Sequence, residues 1–140
     1  MGDIRDKENF ESLSKGVNII INMAALIGIP YSYKASRSYI DTNIIGTLNV
    51  LNAALKNKIS QVIQISTSEV YGTPKIVPIK EDFPYNAQSP YAATKIAADQ
   101  LSLSFYKSFN LPVSVIRPFN TYGPRQSNRA IIPTIITQAL

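Results

Sequence analysis

Hydrophobic residues form three short continuous runs along the chain, at residues 17–23, 62–66 and 113–116. Runs of this length that are rich in isoleucine and valine are typical of strands buried on both faces of a parallel sheet. Stretches with helical character lie between them, at residues 7–15, 36–56 and 90–109, and an isoleucine-rich helical segment follows residue 127. This alternation predicts right-handed βαβ units and an α/β fold with a parallel sheet.

Local signals mark the ends of the helix predicted at residues 90–109. Ser89 and Pro90 have the chemistry of an N-cap and a first helical position, and Asn110 and Pro112 end the helical pattern. Ligands bind beyond the carboxyl ends of the strands in such sheets. We therefore expect a site on the loops at residues 24–35, 67–90 and 120–127.

Two of these segments carry residues suited to acid/base chemistry. Thr67 and Glu69 follow the second predicted strand, and Tyr91 and Lys95 stand four residues apart on the predicted helix. Residues i and i+4 share one helix face, so Tyr91 and Lys95 point into the same space. A lysine charge stabilises a tyrosinate, which predicts that Tyr91 acts as an acid or base near neutral pH.

Composition narrows the candidate chemistry. The chain of 140 residues has no cysteine and no histidine, which excludes disulfides, thiol catalysis and zinc-thiolate sites. Acid/base work therefore falls to Tyr, Lys, Glu or Asp, and we predict no metal site. With 45% hydrophobic and 16% charged residues, the chain is expected to fold as one domain over residues 1–140.

The distribution of charge and hydropathy argues against a nucleic-acid-binding protein and against a membrane protein. The net charge of +5 is scattered along the chain, without an arginine-rich run or a basic-aromatic patch. The N-terminus lacks the apolar core of a signal peptide, and the apolar run at 17–29 is too short for a membrane span and contains Asn18 and Asn22. These features predict a cytoplasmic protein.

Three motifs occur together in order: Ser-Thr-Ser-Glu-Val-Tyr-Gly at 66–72, Tyr-x-x-x-Lys at 91–95, and Arg-Pro-Phe-Asn-Thr-Tyr-Gly-Pro-Arg at 117–125. With them, the chain resembles the extended short-chain dehydrogenase/reductases, in the branch of NAD-dependent nucleotide-sugar epimerases and dehydratases. The resemblance implies a Rossmann-like doubly wound parallel sheet, NAD as cofactor, a nucleotide-sugar substrate and a homodimer.

The resemblance also implies roles for individual residues. Thr67 would bind the sugar hydroxyl that is oxidised, Tyr91 would take its proton, and Lys95 would bond the nicotinamide ribose. The other implied positions are the cofactor contacts Asp3, Ile4, Ala24, Ala25 and Asn43, and the substrate contacts Ser68, Asn120 and Arg125.

The resemblance gives each of these five cofactor positions a role. Asp3 and Ile4 would meet the adenine end of NAD, where the carboxylate accepts from the exocyclic amine. Ala24 and Ala25 are small and would let the backbone approach the cofactor closely. Asn43 would hold this strand-end loop in place, and Asn22, which stands where relatives usually have His, would make a changed hydrogen bond.

Glu69 points to the reaction class within the resemblance. In 4,6-dehydratases a Glu at this position removes the C5 proton once C4 is a ketone, the C6 hydroxyl leaves, and the hydride returns to C6. Many dehydratases have Asp where this chain has Ser68, so a uronate decarboxylase or a 4-epimerase remains an alternative. The segments at 24–33 and 129–137 look closest to bacterial N-acetylhexosamine-nucleotide 4,6-dehydratases, which favours a UDP- or GDP-N-acetylhexosamine as substrate.

The sequence contains no Gly-x-Gly-x-x-Gly or related loop, which in this family places the cofactor pyrophosphate at a helix N-terminus. The resemblance therefore implies only the second half of a Rossmann domain, without the first βαβ unit and the C-terminal substrate domain. Its first strand would then leave an open apolar edge. A second hypothesis follows: the polypeptide is a truncated or split piece that is catalytically silent alone.

Overall fold

The computed structural model describes residues 2–128 and 130–140. Arg129, with which the second stretch of the N-acetylhexosamine resemblance begins, lies outside them, as does Met1. The described helices are α1 (Lys7–Leu13), α2 (Ile29–Ser32), α3 (Ser36–Tyr39), α4 (Gly46–Lys56), α5 (Pro90–Phe109) and α6 (Ile131–Ala139), and the strands are β1 (Ile19–Asn22), β2 (Gln61–Ile65) and β3 (Val113–Ile116).

The strands form one parallel sheet in the order β1-β2-β3. Ile20 pairs with Val62, and Val62 pairs with Val113, so the three strands end at the same edge. The prediction of a parallel α/β sheet is confirmed, and its strand-end loops lie together.

The helical stretch predicted at residues 36–56 is confirmed, but it is not a uniform α-helix. A π-helical segment, Ile40–Ile45, lies between α3 and α4. Such wide turns occur mostly at functional positions, because they change which side chains face inward. Here the π segment turns Asn43 into the protein interior, where it is buried.

The ends of α5 are set by the residues that the sequence indicated. The Ser89 side chain accepts a hydrogen bond from the Ala92 N–H at 3.0 Å, and Pro90 takes the first helical position. At the other end, Asn110 adopts the left-handed conformation at φ 55° and terminates the helix. The helix that carries Tyr91 and Lys95 is therefore capped at both ends.

The core lies between one face of the sheet and the helices α4 and α5. Its buried members are Ile20, Val50, Leu51, Ala54, Ile59, Val62, Phe105 and Leu111. The opposite face is open among the described residues: Ile19 and Ile21 of β1 are 54% and 56% exposed, and Ile116 of β3 is 47% exposed. The prediction that the first strand is buried on both faces is therefore wrong for this chain, because helices cover only one side of the sheet.

Candidate active site

The chain turns sharply after β2, and this turn carries the first two predicted site residues. Thr67 is extended, and its hydroxyl accepts a hydrogen bond from the Glu69 N–H at 3.2 Å, which caps a 3₁₀ turn at Ser68–Tyr71. The Ser68 N–H donates to the Pro118 carbonyl at 3.2 Å, which ties the turn to the chain after β3. Thr67, Ser68 and Glu69 remain half-buried and accessible.

Tyr91 and Lys95 reach the same strand end from α5. The Tyr91 hydroxyl lies close enough to the Thr67 side chain for Thr67 to lower the pKa of Tyr91. The Lys95 ammonium donates to the Ile65 carbonyl, the last residue of β2, at 2.6 Å. The structure thus brings Thr67, Tyr91 and Lys95 together, with the Glu69 carboxylate close enough to act on Tyr91 electrostatically.

Burial works against ionisation of both α5 residues. The pKa of Tyr91 is raised, chiefly because burial disfavours the tyrosinate, and the nearby Glu69 charge raises it further, whereas the Thr67 side chain lowers it. Burial also lowers the pKa of Lys95, and the Asp99 charge opposes that change. That Tyr91 acts as an acid or base near neutral pH stays a prediction.

Asn43 connects the loop after β1 to the catalytic helix. Its side-chain oxygen accepts from the Leu26 N–H at 2.8 Å, and its amide donates to the Leu26 carbonyl and to the Thr94 hydroxyl, both at 3.0 Å. Ala24 and Ala25 lie on this loop, exposed and half-buried respectively. Asn43 thus fixes the backbone of the loop against the helix turn that carries Tyr91 and Lys95.

Asp3 and Ile4 lie on the segment before α1. The Asp3 carboxylate is bound by the Arg5 guanidinium at 2.6 Å, which lowers the pKa of Asp3 to about 2. The Ile4 side chain packs on Gly46, so closely that a Cβ there would lie 2.4 Å from its Cδ1 atom. The Asp3 side chain is exposed to a ligand, whereas the Ile4 side chain is turned toward Gly46, and Asp3 is an anion at physiological pH.

The two predicted substrate contacts near the chain end are not joined to the others. Asn120 is exposed, and Arg125 is exposed at a left-handed φ of 70°. Arg125 lines an open cleft of about 390 Å³ against α6, and none of Thr67, Glu69, Tyr91 and Lys95 lines that cleft. Their roles stay predictions.

Asn22 stands where the family resemblance implies a histidine, and it makes buried hydrogen bonds. Its side-chain amide donates to the Gln64 side chain at 2.9 Å and to the Thr47 hydroxyl at 3.3 Å. Thr47 in turn donates to the Asn43 carbonyl at 2.7 Å. This network links the end of β1 to the π segment that carries Asn43.

Sequence reasoning missed a buried ion pair behind the site. Asp99 is completely buried on α5 and lies 3.0 Å from the Arg117 guanidinium, which follows β3. The Ser66 hydroxyl donates to the same carboxylate oxygen at 2.9 Å. One signal in the sequence could have indicated this pair. Asp99 is an acidic residue one turn after Lys95, on a helix face whose other residues are mostly small or apolar.

A parallel α/β sheet, with a hydroxyl-bearing strand end facing a Tyr-x-x-x-Lys helix, defines an extended short-chain dehydrogenase/reductase. More narrowly, the chain belongs to the GDP-mannose 4,6 dehydratase family, whose family model matches residues 1–140.

Two curated relatives are similar to almost the whole of this chain. The low-salt glycan biosynthesis protein Agl12 of Haloferax volcanii is 38% identical over 138 residues, which are 99% of this chain and 44% of that protein. A UDP-N-acetyl-alpha-D-glucosaminuronate decarboxylase of Bacillus cytotoxicus is 39% identical, over 98% of this chain and 44% of that protein.

A solved structure has the same fold. The dTDP-glucose 4,6-dehydratase DesIV of Streptomyces venezuelae, solved with NAD bound, is 32% identical and superimposes with a TM-score of 0.92, covering 99% of this chain and 43% of that one. Other similar proteins are named dTDP-glucose 4,6-dehydratases and nucleotide-sugar 4-epimerases. The chain thus spans less than half the length of the relatives that it matches.

Proposed function

We propose that the protein is an NAD-dependent nucleotide-sugar 4,6-dehydratase. The observation that carries the proposal is that Thr67 and Glu69, on the turn after β2, both lie close enough to Tyr91 to shift its pKa, while Lys95 is bonded to the last residue of β2. A hydroxyl, a phenol and a carboxylate in one place provide the groups for oxidising a carbinol and then removing the neighbouring acidified proton.

The residues present fit part of an NAD molecule. A lysine ammonium has three donors, and Lys95 uses one on the Ile65 carbonyl, which leaves two for the hydroxyls of a ribose. The ionised Asp3 carboxylate has acceptor capacity for the amine of an adenine, and the loop with Ala24 and Ala25 is held open to a ligand by Asn43. When bound, NAD supplies the hydride acceptor and a positive charge.

In the proposed first half-reaction, the sugar C4 hydroxyl lies on Thr67 and Tyr91. Tyr91 accepts its proton while C4 is oxidised to the ketone, and Lys95 stabilises the tyrosinate that precedes this transfer. The raised pKa of Tyr91 makes it a strong base once its proton has left.

In the second half, the Glu69 carboxylate removes the C5 proton, which the C4 ketone acidifies. The C6 hydroxyl departs with that proton as water, the hydride then returns to C6, and C5 takes up one proton, which balances the proton that Tyr91 accepted and afterwards releases, so that no net oxidation occurs. Ser68 stands where many dehydratases have Asp, and the proton taken by Glu69 is available to the leaving hydroxyl.

Substrate identity rests on similarity. The resemblance favours a UDP- or GDP-N-acetylhexosamine, whereas several relatives are named for dTDP-glucose. A uronate decarboxylase is the second candidate, since it needs no acid for a departing hydroxyl, which agrees with Ser68, and one relative is named as such an enzyme.

The experiment is a product assay on the protein, expressed with any in-frame sequence that its gene carries on either side. It is incubated with NAD and dTDP-glucose, UDP-N-acetylglucosamine or UDP-glucuronate. A 4-keto-6-deoxy sugar from one of the first two supports the dehydratase. Carbon dioxide from the third, without a keto-deoxy product from the others, supports the decarboxylase and contradicts our proposal.

The first prediction concerns Glu69→Gln. We expect C4 oxidation to continue, seen as NADH absorbance, while the keto-deoxy product falls about 100-fold or more, because the C5 base is lost. Glu8→Gln, an exposed acid in α1, is the matched control and should leave turnover unchanged. Unchanged turnover in Glu69→Gln would remove Glu69 from the mechanism.

A further inference from the structure

Asp99 is a fully buried acid that the proposed reaction does not use. It lies one helical turn after Lys95 on α5, which puts both side chains on the same helix face. Its Oδ2 atom accepts from Ser66 at 2.9 Å and from Arg117 at 3.0 Å, whereas Oδ1 has no hydrogen-bond partner among the described residues. A carboxylate so incompletely bonded inside a protein is stabilised mainly by neighbouring positive charge.

Arg117 is the fixed member of this cluster. Its guanidinium donates to the Tyr71 hydroxyl at 2.8 Å and to the Tyr85 hydroxyl, and it lies over both rings, 5.4 Å and 5.2 Å from their centroids. Arginine keeps its proton in proteins. Its positive charge is therefore permanent and is anchored to the segment at residues 71–85.

Lys95 and Asp99 are both buried, and Asp99 is the opposite charge one helical turn from Lys95. If Asp99 were neutral, burial would act on the Lys95 ammonium without an opposing charge, and a buried lysine then releases its proton more readily. The positive charge would then leave the Ile65 carbonyl and the side of Tyr91.

We propose that Asp99, itself held as an anion by Ser66 and Arg117, is a positioning residue that keeps the ammonium charge of Lys95 at the end of β2. The catalytic role of Lys95 rests on the proposed function. The effect of Asp99 on the charge of Lys95 does not depend on that function.

The electrostatic surroundings of Lys95 agree with this assignment. Titratable groups near the site are Tyr91 and Asp99 on α5, Tyr39 on α3, Glu69 and Tyr71 on the 3₁₀ turn, Tyr85 on the following segment, and Arg117 after β3. Within the described part of the chain, Asp99 is the charge that raises the pKa of Lys95 against the effect of burial. Burial raises the pKa of Asp99 above its ordinary value, and the Ser66 hydrogen bond, the Arg117 guanidinium and the Lys95 charge each oppose that rise.

The test is a pH titration of the lysine side-chain nitrogens by isotope-edited NMR on the 140-residue chain, with the Lys95 signal assigned through Lys95→Met. We expect Asp99→Asn to lower the pKa of Lys95 by about one unit or more, because an opposite charge is removed. A purely structural role would admit water and raise that pKa toward its ordinary value, so an upward shift or no shift overturns the proposal. Asp82→Asn, an exposed acid, is the matched control and should leave Lys95 unchanged.

Arg117→Gln provides a second variant if Asp99→Asn does not fold. Removing this cation takes away a group that keeps Asp99 ionised, so Arg117→Gln should lower the pKa of Lys95, and an unchanged or raised value overturns the proposal. The double variant Asp99→Asn/Arg117→Gln should match Asp99→Asn alone, because Arg117 acts through Asp99, and a clearly different Lys95 pKa contradicts that route. Because this readout needs no turnover, an inactive protein with the expected shifts counts against the proposed function and not against this inference.

Discussion

Gly72 closes the 3₁₀ turn that carries Glu69, and its backbone fits no other residue. Its φ is +61°, in the left-handed region, and a Cβ atom would lie 2.4 Å from the Asn86 carbonyl oxygen. The Asn86 N–H donates to the Val70 carbonyl at 2.8 Å, so Asn86 is held in place and cannot move aside. The position of Glu69 therefore depends on a residue without a side chain.

We predict that Gly72→Ala lowers the free energy of unfolding by about 2–3 kcal/mol, from backbone strain together with the contact on Asn86. The matched control is Gly16→Ala, where φ is +75° but no atom lies within 4 Å of an added Cβ, so only the backbone effect of about 1 kcal/mol applies. Urea unfolding of both variants measures the difference. Equal losses of unfolding free energy in the two variants would show that the contact with Asn86 does not contribute to the effect of Gly72→Ala.

The helical stretch at residues 36–56 performs two tasks through two kinds of helix. The π segment presents Asn43 to the loop after β1, whereas the regular helix α4 presents Val50, Leu51 and Ala54 to the sheet. A uniform α-helix would rotate one of these sets relative to the other. This helical stretch therefore contributes one face to the candidate site and a different face to the hydrophobic core.

At this scale we predict the effect of truncating α4 in the core. Leu51 is fully buried, so Leu51→Ala should lower the free energy of unfolding by about 2–5 kcal/mol through lost burial and the resulting cavity. Leu13→Ala, at a leucine of α1 that is 63% exposed, is the control and should change it by about 0.5 kcal/mol or less. Urea unfolding tests both, and a loss below about 1 kcal/mol in Leu51→Ala would contradict this description of the core.

The whole molecule has one covered and one open face of the sheet. Ile19, Ile21 and Ile116 lie exposed on the open face, whereas the strand ends carry the site. Among the described residues, no helix is long and apolar enough to cross a membrane. The homodimer, the cytoplasmic location and the single domain over residues 1–140 stay predictions.

Cofactor binding by these 140 residues alone tests the fragment hypothesis. We expect the affinity for NAD to be weaker than micromolar, because the sequence has contacts for the ribose and adenine ends but no glycine-rich loop for the pyrophosphate. Isothermal titration calorimetry gives the dissociation constant, and Lys95→Met should weaken any binding that is seen. Micromolar binding would contradict the hypothesis that the chain alone lacks a competent cofactor site.

The sequence by itself determined the order of the strands and the longer helices, the parallel sheet and the limits of α5, and it indicated that Thr67, Glu69, Tyr91 and Lys95 lie on segments that meet at one end of the sheet. These follow from local patterns: apolar runs, an N-cap, a left-handed stop and helical spacing. The sequence did not determine that helices cover one face of the sheet only, nor that Asp99 and Arg117, 18 residues apart, meet as a buried pair. The sequence also did not predict the raised pKa of Tyr91, since that shift depends on burial between α3, α5 and the 3₁₀ turn. Packing decides such features, because solvent exclusion and pairwise charge effects arise only once distant segments are in contact.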